Sequence, residues 1–162
     1  MAPVLTDPAA LAAAAPAGSL LGLDLGTKTI GVAVCDPRRR LASPLETIAR
    51  QRFGEDAARL HKLARDWAVV GYVLGLPYNM DGSEGPRAQS TRAFARNLAA
   101  RQELPILLFD ERLSTFAADE LLAEAGVARG RRKAIIDQHA AVVILQGAID
   151  RLRGIEENAP SG

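Results

Sequence analysis

Between Leu20 and Val34 two short apolar runs stand on either side of Gly26-Thr27-Lys28-Thr29. That pattern predicts a hairpin, and a third extended piece around Leu41 to Ile48, after the turn at Asp36-Pro37, enlarges it to a three-strand meander. Past Gly54 the period changes. A helix is expected over roughly Gly54 to Trp67, and the apolar run Val69 to Gly75 reads as a buried strand. A long turn-rich loop, Leu76 to Gly85, leads to Pro86, which suits the first position of a helix reaching about Gln102. Ile106 to Phe109 is another apolar strand. Ser114 is a fair N-cap for a helix closing near Gly126, and a last helix is expected from about Arg132 to Arg153. Three antiparallel strands followed by alternating helices and strands predict an α/β fold, with a mixed five-stranded sheet flanked by helices.

The chain is 162 residues long, enough for one domain and too short for two lobes. Hydrophobic residues at 48% and charged residues at 24% are those of a globular protein with a real core. Aromatics make up only 4%, which argues against a protein that binds single strands mainly by stacking. The lone Cys35 can form neither an intrachain disulfide nor a thiolate metal cage, so a reducing compartment, the cytoplasm, is expected. The Ala-rich segment Met1 to Gly18 lacks Lys and Arg and is broken by Pro3, Pro8 and Pro16. It makes a poor signal peptide. Residues 1–19 are therefore expected to be a disordered Ala/Pro-rich tail, 20–153 the folded domain and 154–162 a flexible C-terminal tail. No apolar run is long and uncharged enough to cross a membrane, so no membrane partner is expected.

The formal net charge of +1 understates the domain, since all 20 Lys and Arg but only 16 of the 19 acids lie within residues 20–153. Arg38-Arg39-Arg40 and the group Arg129, Arg131, Arg132 and Lys133 are places where phosphates can be held, or else a solvated basic face.

Three acidic positions stand where a carboxylate is costly without a partner. Alternation along Leu20 to Gly26 puts Leu21, Leu23 and Leu25 on one face. Leu20, Gly22, Asp24 and Gly26 fall on the other, which leaves Asp24 little crowded. Asp110 and Glu111 end the strand Ile106 to Phe109, where the edge of an open sheet forms a crevice; a salt bridge with Arg112 is the simpler reading of that triplet. Asp137 continues the helical stripe Ala141, Ile144 and Ala148, or answers the helix dipole. Several carboxylates brought together repel one another, and oxygen ligands suit magnesium or manganese. Two such ions about 4 Å apart activate water and stabilise the leaving oxygen in phosphodiester cleavage.

The stretches Gly22-Leu23-Asp24-Leu25-Gly26-Thr27-Lys28 with Gly31-Val32-Ala33, Gly75 to Ser83, Asp110-Glu111-Arg112-Leu113-Ser114-Thr115, and Ile136-Asp137-Gln138-His139-Ala140-Ala141 together resemble the YqgF family. Its members are called Holliday-junction resolvases or pre-16S rRNA nucleases. The resemblance spans roughly Leu20 to Arg153 and implies an RNase H-like fold. It also implies a nuclease of the bacterial cytoplasm that depends on Mg2+ or Mn2+ and matures the 5′ end of 16S rRNA. By position Asp24 matches the first-strand metal ligand, the pair Asp110-Glu111 the second acid and Asp137 the last-helix acid. Adjacent strand residues point to opposite faces, so one of Asp110 and Glu111 reaches the metals unless the strand has already ended. The loop through Asn79, Asp81, Gly82 and Ser83 resembles the family's substrate loop, and Arg112 belongs to the acidic motif. Lys28, Arg131, Arg132 and Lys133 would position phosphates without reading sequence. His139 is offset from the Asp137 face and is expected to be structural or exposed.

Precursor rRNA is the expected partner, with branched DNA as the alternative, and the chain is a monomer or a homodimer. Symmetric resolution of a four-way junction requires two sites and hence a dimer. A non-catalytic RNA-binding assembly factor is the competing reading from another class. The Asp24 to Thr27 turn also resembles the first phosphate motif of actin-like ATPases and sugar kinases, whose second lobe has no room here.

Overall fold

The computed structural model describes residues 1–158. The chain runs β1 (Val4–Leu5), α1 (Pro8–Ala14), β2 (Leu20–Leu25), β3 (Thr29–Cys35), β4 (Ala42–Ala49), α2 (Phe53–Asp66), β5 (Gly71–Leu76), α3 (Pro86–Ala99), β6 (Ile106–Asp110), α4 (Glu111–Glu124), α5 (Arg129–Gln138) and α6 (Ala140–Glu157). These strands form one sheet in the order β1-β6-β5-β2-β3-β4. The meander β2, β3, β4 is antiparallel, whereas β5, β6 and β1 join parallel to β2 and to one another in turn. The expected mixed α/β architecture is present, with a sixth strand in place of five.

The alternation in β2 sorts its side chains as its sequence pattern demands. Leu21, Leu23 and Leu25 join the core under α2 and α3, while Leu20 joins the core under α1 and α6. On that second face α6 lies very close to the sheet. A Cβ on Gly22 would stand 2.5 Å from Leu145 Cβ, so only a residue without a side chain lets the helix settle there.

The N-terminal segment is not the disordered tail expected for residues 1–19. Val4 and Leu5 pair with Ile106 and Leu107, and Leu11 on α1 is fully buried in the α6 core. Asp7 caps α1 by accepting from the Ala9 N–H at 2.9 Å. The side chain of Arg39, itself buried, donates to Ala15 O at 2.6 Å and to Gly18 O at 2.8 Å. Low-complexity alanine concealed one leucine with a groove to fill, and an arginine some twenty residues onward that ties off the carbonyls. At the other end Gly154 to Glu157 belong to α6 rather than to a flexible tail, and residues 159–162 lie outside the described part.

The last helix is two helices. It breaks at His139, whose backbone stands at φ −114° and ψ 30°. α5 packs beside α4, whereas α6 crosses the sheet and also lies against α4. Neither Pro nor Gly marks the break.

Candidate active site

The Asp24 side chain is half-buried near the C-terminal end of β2. β6 then passes into α4 with no loop between them. The N-cap is Asp110 rather than the expected Ser114: its Oδ1 accepts from the Arg112 N–H at 3.0 Å. Ser114 is buried and its hydroxyl donates to Glu111 O at 3.0 Å. This early helix start separates the two adjacent acids. Asp110 turns to the Arg112 guanidinium, with Nη2 to Oδ2 at 2.8 Å, while Glu111 turns towards Asp24. The strand has ended at the pair, so strand alternation no longer governs it.

Asp24, Glu111 and Asp137 line one small pocket with Arg87 and Thr115, floored by Ile144. Asp24 and Asp137 also line an adjoining groove that opens past His139 towards Thr47 on β4. His139 is exposed, as expected. Burial pushes the Asp24 carboxyl above its ordinary range; the negative Asp137 adds to this and the positive Arg87 offsets part of it. Burial likewise raises Glu111, reinforced by the charges of Asp24 and Asp110 and again moderated by Arg87. Among the described residues no group of three or more His, Cys, Asp or Glu is set to hold a metal ion as it stands. The chemistry of the donors does suit a hard divalent cation: they are carboxylate oxygens whose mutual repulsion a cation offsets.

The residues expected to form a substrate loop close on themselves in a turn. The Gly82 N–H donates to Asn79 O at 2.9 Å, and Asn79 Nδ2 donates to Ser83 Oγ at 3.0 Å. The Ser83 N–H and hydroxyl both donate to Asp81 Oδ1, which holds the Asp81 carboxyl below its usual range. Gly82 has φ +88°. The Arg112 guanidinium lies 4.9 Å from the Tyr78 ring centre and beside Gly82, which binds loop and α4 together. Lys28, Arg131 and Lys133 are exposed. Arg132 is otherwise engaged, donating to Asp119 Oδ1 at 2.7 Å and to Val127 O at 2.9 Å, so its role is to join α5 to α4. Arg39, likewise, is spent on the N-terminal carbonyls.

Arg87 is the residue that sequence reasoning missed. A signal existed: it is the second residue of a helix that opens at Pro86, where a cation opposes the helix dipole. An arginine tolerated there implies anions nearby, and two carboxylates supply them.

The family model described as "RuvX: Holliday junction resolvase" matches residues 18–151. A protein of Rhodopseudomonas palustris named "Putative pre-16S rRNA nuclease" is 63% identical over 151 residues, covering 93% of each chain. A protein of the same name from Bradyrhizobium is 66% identical over 135 residues, 83% of this chain and 84% of that one. Among solved structures, Thermus thermophilus RuvC in complex with a Holliday junction substrate aligns with a TM-score of 0.54 at 14% identity. It covers 85% of this chain and 96% of that one, a likeness of fold in keeping with the RNase H-like expectation. The match across most of the chain, together with relatives this similar, means that the chain belongs to the RuvX family, also called YqgF.

Proposed function

We propose that this protein is a metal-dependent nuclease that hydrolyses phosphodiester bonds at the 5′ end of precursor 16S rRNA during ribosome biogenesis, in the bacterial cytoplasm. The observation that carries the reading is the single pocket shared by Asp24, Glu111 and Asp137, with the carboxyls of Asp24 and Glu111 held above their ordinary range. Perturbed acids gathered in a cleft mark a functional site. The names of the 63% and 66% identical relatives supply the substrate. No helix among the described residues is long and apolar enough to cross a membrane.

Asp24, Glu111 and Asp137 would hold Mg2+ or Mn2+, with Asp110 left to cap α4. A pair of such ions, when bound, supplies an activated water and charge stabilisation at the leaving oxygen. The chain's own part is positioning. The apolar floor at Ile144 limits water, and the strand end and helix start hold Asp24 and Glu111 on opposite walls. Arg87 faces the same pocket as the one cation among its lining residues, suited to the charge that develops on a phosphate in the transition state. Lys28, Arg131 and Lys133 contribute sequence-independent attraction for the backbone.

The family model's description favours a second substrate, the four-way DNA junction. The test is cleavage of a precursor rRNA fragment and of a synthetic four-way junction, with magnesium or manganese, by wild type and Asp24→Asn. Cutting of the rRNA that vanishes in Asp24→Asn is the expected result. Cutting of the junction alone transfers the activity to DNA. Failure to cut either, with rRNA binding equal in both proteins, leaves an RNA-binding assembly factor.

A further inference from the structure

The turn that joins β2 to β3 starts at Gly26, two residues past Asp24, and ends at Lys28. Thr29, the next residue, lines the groove that holds Asp24 and Asp137, and Lys28 beside it is exposed. Arg50 fastens this turn at both ends. Its backbone N–H donates to Lys28 O at 2.9 Å, which carries the β3–β4 ladder one step past the Thr29–Ala49 pair. Its guanidinium reaches the other end, where Nη1 donates to Gly26 O at 2.6 Å. The Gly26 N–H already donates to Thr29 O at 2.8 Å, so residue 26 is held by both of its backbone polar groups. Behind the clamp the Arg50 guanidinium lies 6.0 Å from the ring centre of Phe94, a buried residue of α3. A turn that would otherwise move as a loop is thus tied to the core.

The charges of this turn are not balanced. Neither Lys28 nor Arg50 pairs with a carboxylate among the described residues. Glu46, the acid that faces the groove from β4, is taken up by Arg59. Two cations on one turn repel each other, and an anion at Lys28 offsets that repulsion. The two have different parts: Arg50 is half-buried with its guanidinium engaged on Gly26, whereas the Lys28 ammonium is free in solvent. Holding the backbone from which a long side chain springs lowers the ordering cost when that side chain binds.

Resting on the nuclease reading and deepening it, we infer that Arg50 is a positioning residue for nucleic-acid binding, holding the β2–β3 turn so that Lys28 meets a backbone phosphate of the strand in the groove beside Asp24. Asp24 itself is set by its ladder pairing with Gly31, so the clamp governs the grip on the strand and not the metal ligands.

The experiment is done on the full chain in the non-cleaving Asp24→Asn background, with a single-stranded RNA of roughly 12 nucleotides titrated at several salt concentrations. Lys28→Ala is expected to weaken binding about fivefold and to reduce the salt slope by about 0.7, the share of one phosphate on a single strand. Arg50→Met keeps the backbone bond to Lys28 O but loses the one to Gly26 O, and is expected to show nearly the same loss and the same change of slope. The decisive reading is the double variant, which should bind within about twofold of either single variant because the two residues act as a unit. Losses that multiply to about 25-fold would mean that each residue contacts the strand on its own, and would overturn the inference. So would unchanged affinity in Arg50→Met, or a loss with no change of salt slope, which is what general damage to the fold produces. Manganese affinity, measured by calorimetry with Asp24 restored, should be equal in wild type and Arg50→Met; a fall would show that Arg50 supports Asp24 instead. Should Arg50→Met fail to fold, Arg50→Gln, whose amide is too short to reach Gly26 O, takes its place in the cycle. A wild type that cuts nothing but shows the coupled losses sinks the nuclease reading and sustains this one. Cleavage that Asp24→Asn abolishes, with multiplying losses in the cycle, does the reverse.

Discussion

Glu111 Oε1 lies 2.8 Å from the point where a Cβ on Gly75 would stand, and Ile144 Cδ1 lies 2.6 Å from the same point. β5 thus omits a side chain where the first acid of α4 and the floor of α6 close over the sheet. Gly75→Ala must push at least one of them away. The expected outcome is a stability loss of about 1–3 kcal/mol from overpacking and a fall in turnover out of proportion to it. Urea unfolding and cleavage rates measured side by side check this; unchanged turnover would mean that the position of Glu111 is not required.

The adjacent acids should separate in function as they do in space. Glu111→Gln is expected to cost at least about 100-fold in turnover and to weaken magnesium or manganese binding by calorimetry. Asp110→Asn loses the ion pair with Arg112 but keeps an oxygen to cap α4, which costs about 0.5–1 kcal/mol of stability, and keeps most of the turnover. The opposite ranking of the two variants would reverse the assignment.

Stability of the metal-free protein should carry the mark of the acidic pocket. Asp24 and Glu111 keep their protons to higher pH in the folded state than at their ordinary values of 3.8 and 4.5. At these two groups the folded chain binds more protons than the unfolded one, so they lower stability as pH rises from those values through the raised ones. Asp24→Asn removes its share. In chelator its melting temperature is expected to exceed that of wild type at pH 7, and the difference to shrink towards pH 4. Comparing the two proteins cancels the contributions of the remaining acids. A difference constant across pH would contradict the assignment, and added manganese should raise Tm more in wild type than in Asp24→Asn.

Arg87 shares the pocket that is to receive cations, so its charge opposes their binding. Arg87→Ala is expected to tighten manganese binding about fivefold, from a charge interaction on the order of 1 kcal/mol, and yet to slow cleavage. Arg87→Lys keeps the charge and should lie near wild type in metal affinity. Calorimetry and turnover together read the opposing effects; weaker metal binding in the alanine variant would show that Arg87 acts only as structural support.

The buried Arg39 ties residues 15 and 18 to the turn between β3 and β4. Arg39→Ala leaves buried carbonyls unpaired and is expected to cost about 2–3 kcal/mol. Limited proteolysis should then cut within residues 1–19 while the rest of the domain stays protected. Unaltered protease resistance would show that β1 and α1 hold without it.

Much of the site was legible because acids at element ends are conspicuous. Asp24 is a charge in an apolar strand, and Asp137 a charge on an apolar stripe, each visible within a few residues. Even so, the stripe that drew attention to Asp137 is not continuous, since α5 and α6 break at His139 without a local breaker. The choice between Asp110 and Glu111 was illegible, because it depends on whether the residue after Phe109 continues the strand or caps a helix. Arg132 and Arg39 read as free cations until their partners, Asp119 and the carbonyls of Ala15 and Gly18, were known.

The order of strands and helices was determined by the sequence itself, because hydrophobic period, turn residues and caps act over a few neighbours. The alternation that sends Leu21 and Leu23 to one face of the sheet and Asp24 to the other is of the same kind. Tertiary structure decided what depends on distant partners: the docking of Leu11 and β1, the bend at His139, the turn of Glu111 towards Asp24 and the arrival of Arg87 at the acidic pocket. Each of these is fixed by a surface that another part of the chain provides, and burial and charge pairing at such surfaces outweigh local preference.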